Sequence, residues 1–185
     1  SDDTFFLGDI PVETLMQEYG SPLYVYEESV LRSQFRQLAS GFPEELLEIH
    51  YSMKANSNPS LLKILLEEGS AIDAVSEFEV RLALESGFEP QQIIFTGNNN
   101  TLAEIENCVE KGVSVNLGSL ALLEKYGQRY PQTSVSVRIN PGIGAGHHSH
   151  CITGGPDSKF GIYHDQIDSA LDLATKYKLT LNGVH

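Results

Sequence analysis

The stretch His50-Tyr51-Ser52-Met53-Lys54-Ala55-Asn56-Ser57-Asn58-Pro59 sets a lysine at the seam between two apolar segments. Leu46, Leu47 and Ile49 lead into it, and Leu61, Leu62, Ile64, Leu65 and Leu66 follow at helical spacing. The first run reads as a strand. Asn58 then Pro59 reads as the N-cap and first turn of a helix that Gly69 closes. Lys54 therefore falls at the C-terminal end of a strand, just ahead of a helix.

The same unit recurs along the chain. β-type runs occupy Ile49–Met53, Ala71–Val75, Ile93–Thr96, Val113–Leu117, Val135–Ile139 and Leu179–Val184, and the first five begin about 21 residues apart. Helices with legible ends lie between them. Ser76 with Glu79 and Thr101 with Glu104 have capping-box spacing, and Gly87 and Gly112 close those helices. Ser119 opens a fourth helix, and another is expected from about Asp165 to Tyr177.

Strands separated by single helices imply a parallel sheet, because a parallel return needs a crossover. The sheet is either open and doubly wound or closed into an eight-stranded barrel. No Gly-x-Gly-x-x-Gly or P-loop follows the first strand, and the even period favours the barrel. Six strands cannot close a barrel of eight, so the sequence reads as about six of eight βα units of a longer protein. Pro22–Tyr26 is strand-like and Glu28–Leu38 helical, outside the repeat. Residues 1–32 are therefore expected to hold a strand of a separate β domain, and 33–185 the first part of the barrel.

Bulk properties remove several function classes. The 185 residues are 41% hydrophobic, enough for a sizeable core, and carry a formal net charge of −13. Such a chain repels nucleic acid. Cys108 and Cys151 lie far apart without metal-type spacing, which suits a reduced, intracellular protein. No run approaches membrane-span length, and Ser1-Asp2-Asp3-Thr4 does not read as a signal peptide, so the cytoplasm is the default.

In a β/α barrel the chemistry sits on loops after the strands' C-terminal ends. From position alone, the plainer account of Lys54 is a lysine reaching solvent. The functional account is an amine made nucleophilic by desolvation and able to form a Schiff base. Polar residues gather at the same rim: Asp73 in the second run, Asn98–Asn100 after the third, and Asn116 with Ser119 at the fourth. Arg138 and Asn140 end the fifth, and His185 ends the sixth. Singly, each has a bland reading: a turn, a cap for Glu79, an ion pair for Arg138. Together they look like a site.

Five of these segments carry a family resemblance. "YSMKANSNPSLLKIL" resembles the lysine motif of pyridoxal-phosphate decarboxylases of the alanine-racemase-like barrel fold, and "IDAVSEFEV" resembles their second-strand segment. "RINPGIGAGHHSHCITGGPDSKFGI" is similar to the fifth-strand region of the diaminopimelate decarboxylases within that family. With "FTGNNNT" and the terminal "NGVH", the resemblance runs from about Pro22 to His185. It implies pyridoxal phosphate held by Lys54, with Asp73, Glu79, Arg138 and His185 as further cofactor-site residues. The reaction implied is decarboxylation of meso-diaminopimelate to L-lysine and CO₂, in a homodimer with shared active sites. His185 matches the first histidine of the family's Gly-x-His-x-His motif, whose second histidine stacks on the cofactor. Three alternatives stay open: an ornithine or arginine decarboxylase, a racemase of the same fold, or a cofactor-binding homologue without turnover.

Two further features compete for attention. His147, His148, His150 and Cys151 look like a metal cluster, but nothing nearby completes a second ligand pair, so no metal is expected. By resemblance this Gly/His segment is a loop at the active-site mouth, with a role in lid motion or substrate contact. Gly154–Lys159 suggests a phosphate loop but lacks the Walker spacing. The resemblance makes Lys159 part of a subunit contact.

Overall fold

The alternation of apolar and polar residues in the strands gives the sheet one face to bury. The computed structural model describes residues 4–146, 148 and 152–185. A short antiparallel pair, β1 (Phe6–Leu7) and β2 (Ile10–Pro11), leads into α1 (Val12–Tyr19) and α2 (Glu28–Ala39). The repeat then runs β3 (His50–Ser52), α3 (Pro59–Glu67), β4 (Ala71–Ala74), α4 (Glu77–Glu85), β5 (Ile93–Phe95) and α5 (Leu102–Glu110). It continues through β6 (Ser114–Leu117), α6 (Leu120–Arg129), β7 (Ser134–Val137), β8 (Ile139–Asn140) and β9 (Ile162–Tyr163). The described chain finishes with α7 (Ile167–Tyr177) and β10 (Thr180–Val184).

Six strands pair in parallel in the order β3-β4-β5-β6-β7-β10. Each strand is laid beside its predecessor on the same side. A doubly wound sheet reverses direction at a switch point, and this one does not. The order is that of a singly wound β/α barrel wall, as expected.

Ile72, Ala74, Ile93, Phe95, Val115, Leu117, Val135 and Val137 are all buried in one apolar cluster with helix residues such as Leu62, Val80, Ile105 and Leu123. Successive strand side chains point to opposite faces, so Ser52, Asp73, Ile94, Ser114, Asn116 and Ser136 share the other face. That inner face is mostly polar.

Side-chain caps start the crossover helices where the sequence places them. Asn58 accepts from the Ser60 amide at 2.9 Å, Ser76 from Glu79 at 3.2 Å, Thr101 from Glu104 at 3.3 Å and Ser119 from Leu122 at 3.2 Å. Thr101–Glu104 is a full capping box. At α4 the reciprocal bond goes elsewhere: the Glu79 carboxylate accepts from the Val75 amide at 2.6 Å.

Two expectations are corrected. The fifth strand stops at Val137, because the chain there is shared between two sheets. The Arg138 amide donates to Leu117 O and the Ile139 amide to His185 O, while Arg138 O accepts from the Ile162 amide. Ile139–Asn140 thus pairs with Ile162–Tyr163 instead of extending β7. Pro22–Tyr26 forms no strand: it has no ladder partner among the described residues, and Tyr24 is 88% exposed. A strand without a partner leaves its backbone groups to water. His147, His150 and Cys151 lie outside the described residues. No helix among the described residues is long and apolar enough to cross a membrane.

Candidate active site at the carboxyl rim

Lys54 owes its position to its neighbours. Met53, 1% exposed, is drawn into the core, and its amide donates to Asp73 O. The Ala55 amide returns to Ser52 O at 3.0 Å, closing a tight turn. Lys54, thrown out of that turn at the C-terminal end of β3, is exposed. Its amine makes no hydrogen bond or ion pair with any described residue, yet its charge acts on His185 at the tip of β10.

Asp73 sits on the inner face of β4. One carboxylate oxygen accepts from Ser52 Oγ on β3 at 2.5 Å, and the other from Thr96 Oγ1 just after β5. Three adjacent strand positions therefore fix one carboxylate. Asn116, 3% exposed on β6, accepts from Ser136 Oγ at 3.0 Å through its oxygen. Its amide nitrogen lies 3.1 Å from His185 Nδ1.

Arg138, just beyond β7, donates to Thr153 O at 3.2 Å and lies 4.8 Å from the Phe160 ring centroid. Desolvation lowers its pKa from the ordinary value. The His185 pKa is lowered too. Desolvation where the ring meets protein is the largest cause, Arg138 and Lys54 add to it, and Asp73 opposes them.

The structure thus brings Lys54, Asp73, Arg138 and His185 into one electrostatic neighbourhood. Glu79, the remaining site residue expected from the sequence, has one carboxylate oxygen engaged at the Val75 amide, one residue ahead of the Ser76 N-cap. Asn140 is 1% exposed and anchors a loop: it donates to Gly155 O and accepts from the Gly142 and Gly155 amides, each at 3.0 Å. Ser52, Thr96 and Ser136 were not legible as site residues, because a lone hydroxyl in a strand has no spacing signal.

Pyridoxal phosphate combines an aldehyde with an anionic phosphate. The rim offers the Lys54 amine, without a partner among the described residues, for the first and the Arg138 guanidinium for an anion. The buried amide nitrogens of Asn98 and Asn100, at the end of β5, have no hydrogen-bond partner among the described residues and are donors in reserve. These residues fit such a group. Among the described residues, no group of three or more His, Cys, Asp or Glu could hold a metal ion.

Known proteins share this fold. A family model described as the pyridoxal-binding domain of pyridoxal-dependent decarboxylases matches residues 28–185. Diaminopimelate decarboxylase of Methanothermobacter thermautotrophicus is 39% identical over 182 residues, covering 97% of this chain and 42% of that protein. The Escherichia coli K12 enzyme of the same name is 34% identical, covering 96% and 43%. The crystal structure of diaminopimelate decarboxylase from Helicobacter pylori complexed with L-lysine superposes with a TM-score of 0.86 at 31% identity, over 94% of this chain and 46% of that one. The chain spans less than half the length of these relatives. By that match and these likenesses, the chain belongs to the pyridoxal-dependent decarboxylase family, and residues 28–185 are its pyridoxal-binding domain.

Proposed function

We propose that the protein is a carboxy-lyase that decarboxylates meso-diaminopimelate to L-lysine and CO₂ with pyridoxal phosphate bound at Lys54. The observation that carries this reading is the Lys54 amine: exposed at the end of β3, unpaired among the described residues, and close enough to His185 to act on its charge. The names of the relatives supply the substrate.

When bound, the cofactor supplies an aldehyde carbon for an amine and an electron sink for the bond that breaks. The protein's own residues bind, orient and move protons. Lys54 would be the residue that holds the aldehyde through its amine, and the same amine would carry the proton needed at the reacting carbon. Asp73, fixed from two sides by Ser52 and Thr96, is an oriented carboxylate that acts on His185 at the same rim. Arg138, which among the described residues meets only a carbonyl and an aromatic face, is the cation for a ligand oxyanion.

Several wider assignments belong to the same proposal. Glu79 serves the site through the turn it braces. Residues 1–32 hold a strand of a separate β domain, a reading that the exposed Phe5, Phe6 and Tyr24 support. The enzyme works in the cytoplasm as a homodimer with shared sites, with Lys159 at the subunit contact.

In the full-length protein, Lys54→Ala should abolish both CO₂ release and the borohydride-reducible link to the cofactor. Retention of that link in the variant would overturn the role of Lys54. A wild-type product other than lysine, or cofactor binding without CO₂ release from any amino acid, would overturn the activity.

A further inference from the structure

His185 Nδ1 faces a buried amide whose orientation can be read from its other neighbour. Asn116 is 3% exposed and has two partners, Ser136 Oγ at 3.0 Å from its oxygen and His185 Nδ1 at 3.1 Å from its nitrogen. A serine hydroxyl carries one proton. Ser136 Oγ has two acceptors within reach, Asn116 Oδ1 at 3.0 Å and Val115 O at 3.3 Å, and the shorter contact goes to Asn116. With its oxygen receiving that proton, Asn116 can only offer N–H to the histidine. A nitrogen that receives a hydrogen bond carries no proton of its own.

We propose that Asn116 is a positioning residue: by donating to Nδ1 it holds His185 as the neutral imidazole with its proton on Nε2. His185 then enters the site as a hydrogen-bond donor and not as a cation. Its Nε2 has no partner among the described residues, which leaves that donor for an oxygen of the ligand.

The charges around the ring agree. Arg138 after β7 and Lys54 after β3 both disfavour a third cation, and Asp73 on β4, the opposing charge, has both oxygens already engaged by hydroxyls. Protonating Nδ1 would set two donors face to face. Relief would require the Asn116 amide to turn over and the Ser136 hydroxyl to swing to Val115 O. Backbone bonds from His185 N to Val137 O and from Ile139 N to His185 O hold the residue in place meanwhile. The consequence for catalysis rests on the function proposed above; the tautomer does not.

The test uses full-length protein labelled with ¹⁵N-histidine, with and without pyridoxal phosphate, His185 being assigned as the signal lost in His185→Gln. Near neutral pH its Nδ1 should resonate as a bare ring nitrogen and its Nε2 as a protonated one. Asn116→Asp replaces the donor by a carboxylate. It should move the proton to Nδ1 and raise the pH at which the ring becomes neutral by about 1–3 units, as an adjacent opposite charge does. The acid limb of kcat/KM should rise by the same interval.

Ser136→Ala, which frees the amide to turn over, should give a mixture of the two tautomers. A protonated Nδ1 in the wild type, or a bare one in Asn116→Asp, would overturn the proposal. If Asn116→Asp does not fold, an unchanged tautomer in Ser136→Ala overturns the assigned role of Asn116. A lowered kcat with an unmoved acid limb would show a merely structural Asn116. Wild-type protein that shows the expected tautomer but releases no CO₂ refutes the proposed function alone.

Discussion

Replacing Asn140 by alanine removes three hydrogen bonds from one side chain that is 1% exposed. Two of them hold the amides of Gly142 and Gly155 and the third holds Gly155 O, so this residue ties the two ends of the 141–155 segment together. Each buried bond contributes about 1 kcal/mol net, and its lost partner stays behind without one. About 3 kcal/mol should therefore be lost locally. At about 1.4 kcal/mol per decade, that is a ~100-fold rise in the open population of the Gly142 and Gly155 amides.

Asn140→Asp keeps the acceptor for both amides but turns a carboxylate oxygen toward Gly155 O in a site 1% exposed, so it too should open both amides, by roughly ten-fold or more. Hydrogen exchange of the Gly142 and Gly155 amides in the full-length protein reads these populations directly. Peptides covering Ala71–Ala74 serve as the control for global unfolding. Exchange that speeds up less than about three-fold in Asn140→Ala would refute the assignment.

Gly127→Ala would put a methyl carbon 2.5 Å from Tyr177 Cδ2, where α6 meets α7. Overpacking of about 1–3 kcal/mol, less about 1 kcal/mol of helix propensity, should lower the urea midpoint of the full-length protein, and an unchanged midpoint would contradict the contact. The Glu68 carboxylate is bound by Arg36 and Arg32 and its pKa is held down at about 2, so its contribution is complete above the ordinary carboxylate value and is lost as pH falls from about 4.5 through about 2. Glu68→Gln should remove that acid dependence from the docking of α2 on α3, measured by exchange protection of α2; an identical profile in the variant would count against it. Cys108 is 1% exposed with its thiol pushed up to about 11, mainly by burial, so it should resist thiol reagents until the protein unfolds, and rapid native-state labelling would contradict its burial.

Much of the wall was legible because its signals are local. The strand period, the Asn58-Pro59 start and the caps at Ser76, Thr101 and Ser119 each depend on residues a few positions apart. Lys54 was legible for the same reason: a strand run before it and a cap after it fix its place at the rim. Long-range contacts had no such signature. Ser52 and Thr96 became meaningful only when adjacent strands set them on either side of Asp73. Asn140 read as one more polar strand end, yet its partners lie in a segment that folds back from fifteen residues away. At Pro22–Tyr26, aromatic and β-branched residues made a strand pattern, but β propensity is realised only when another strand offers a ladder.

Arg138 shows how the site can favour anions in an acidic protein. The chain carries a formal charge of −13, but at physiological salt exposed charges are screened over about 8 Å, so a ligand at the rim responds mainly to the groups beside it. Arg32, Arg36, Arg81 and Arg129 are each within ion-pair distance of glutamate. Arg138 alone among the arginines meets no described carboxylate; it has a carbonyl oxygen and an aromatic ring. A surface arginine without an anion is of no consequence, because water solvates it. A partly desolvated one retains a cost that an anion would relieve, and its lowered pKa is the sign of that cost. Lys54 likewise has no partner among the described residues, and Asp73 is committed to two hydroxyls. A phosphate or carboxylate entering between them would therefore gain more from these cations than from the paired arginines outside, which is the electrostatic preference that pyridoxal phosphate and an amino-acid substrate share.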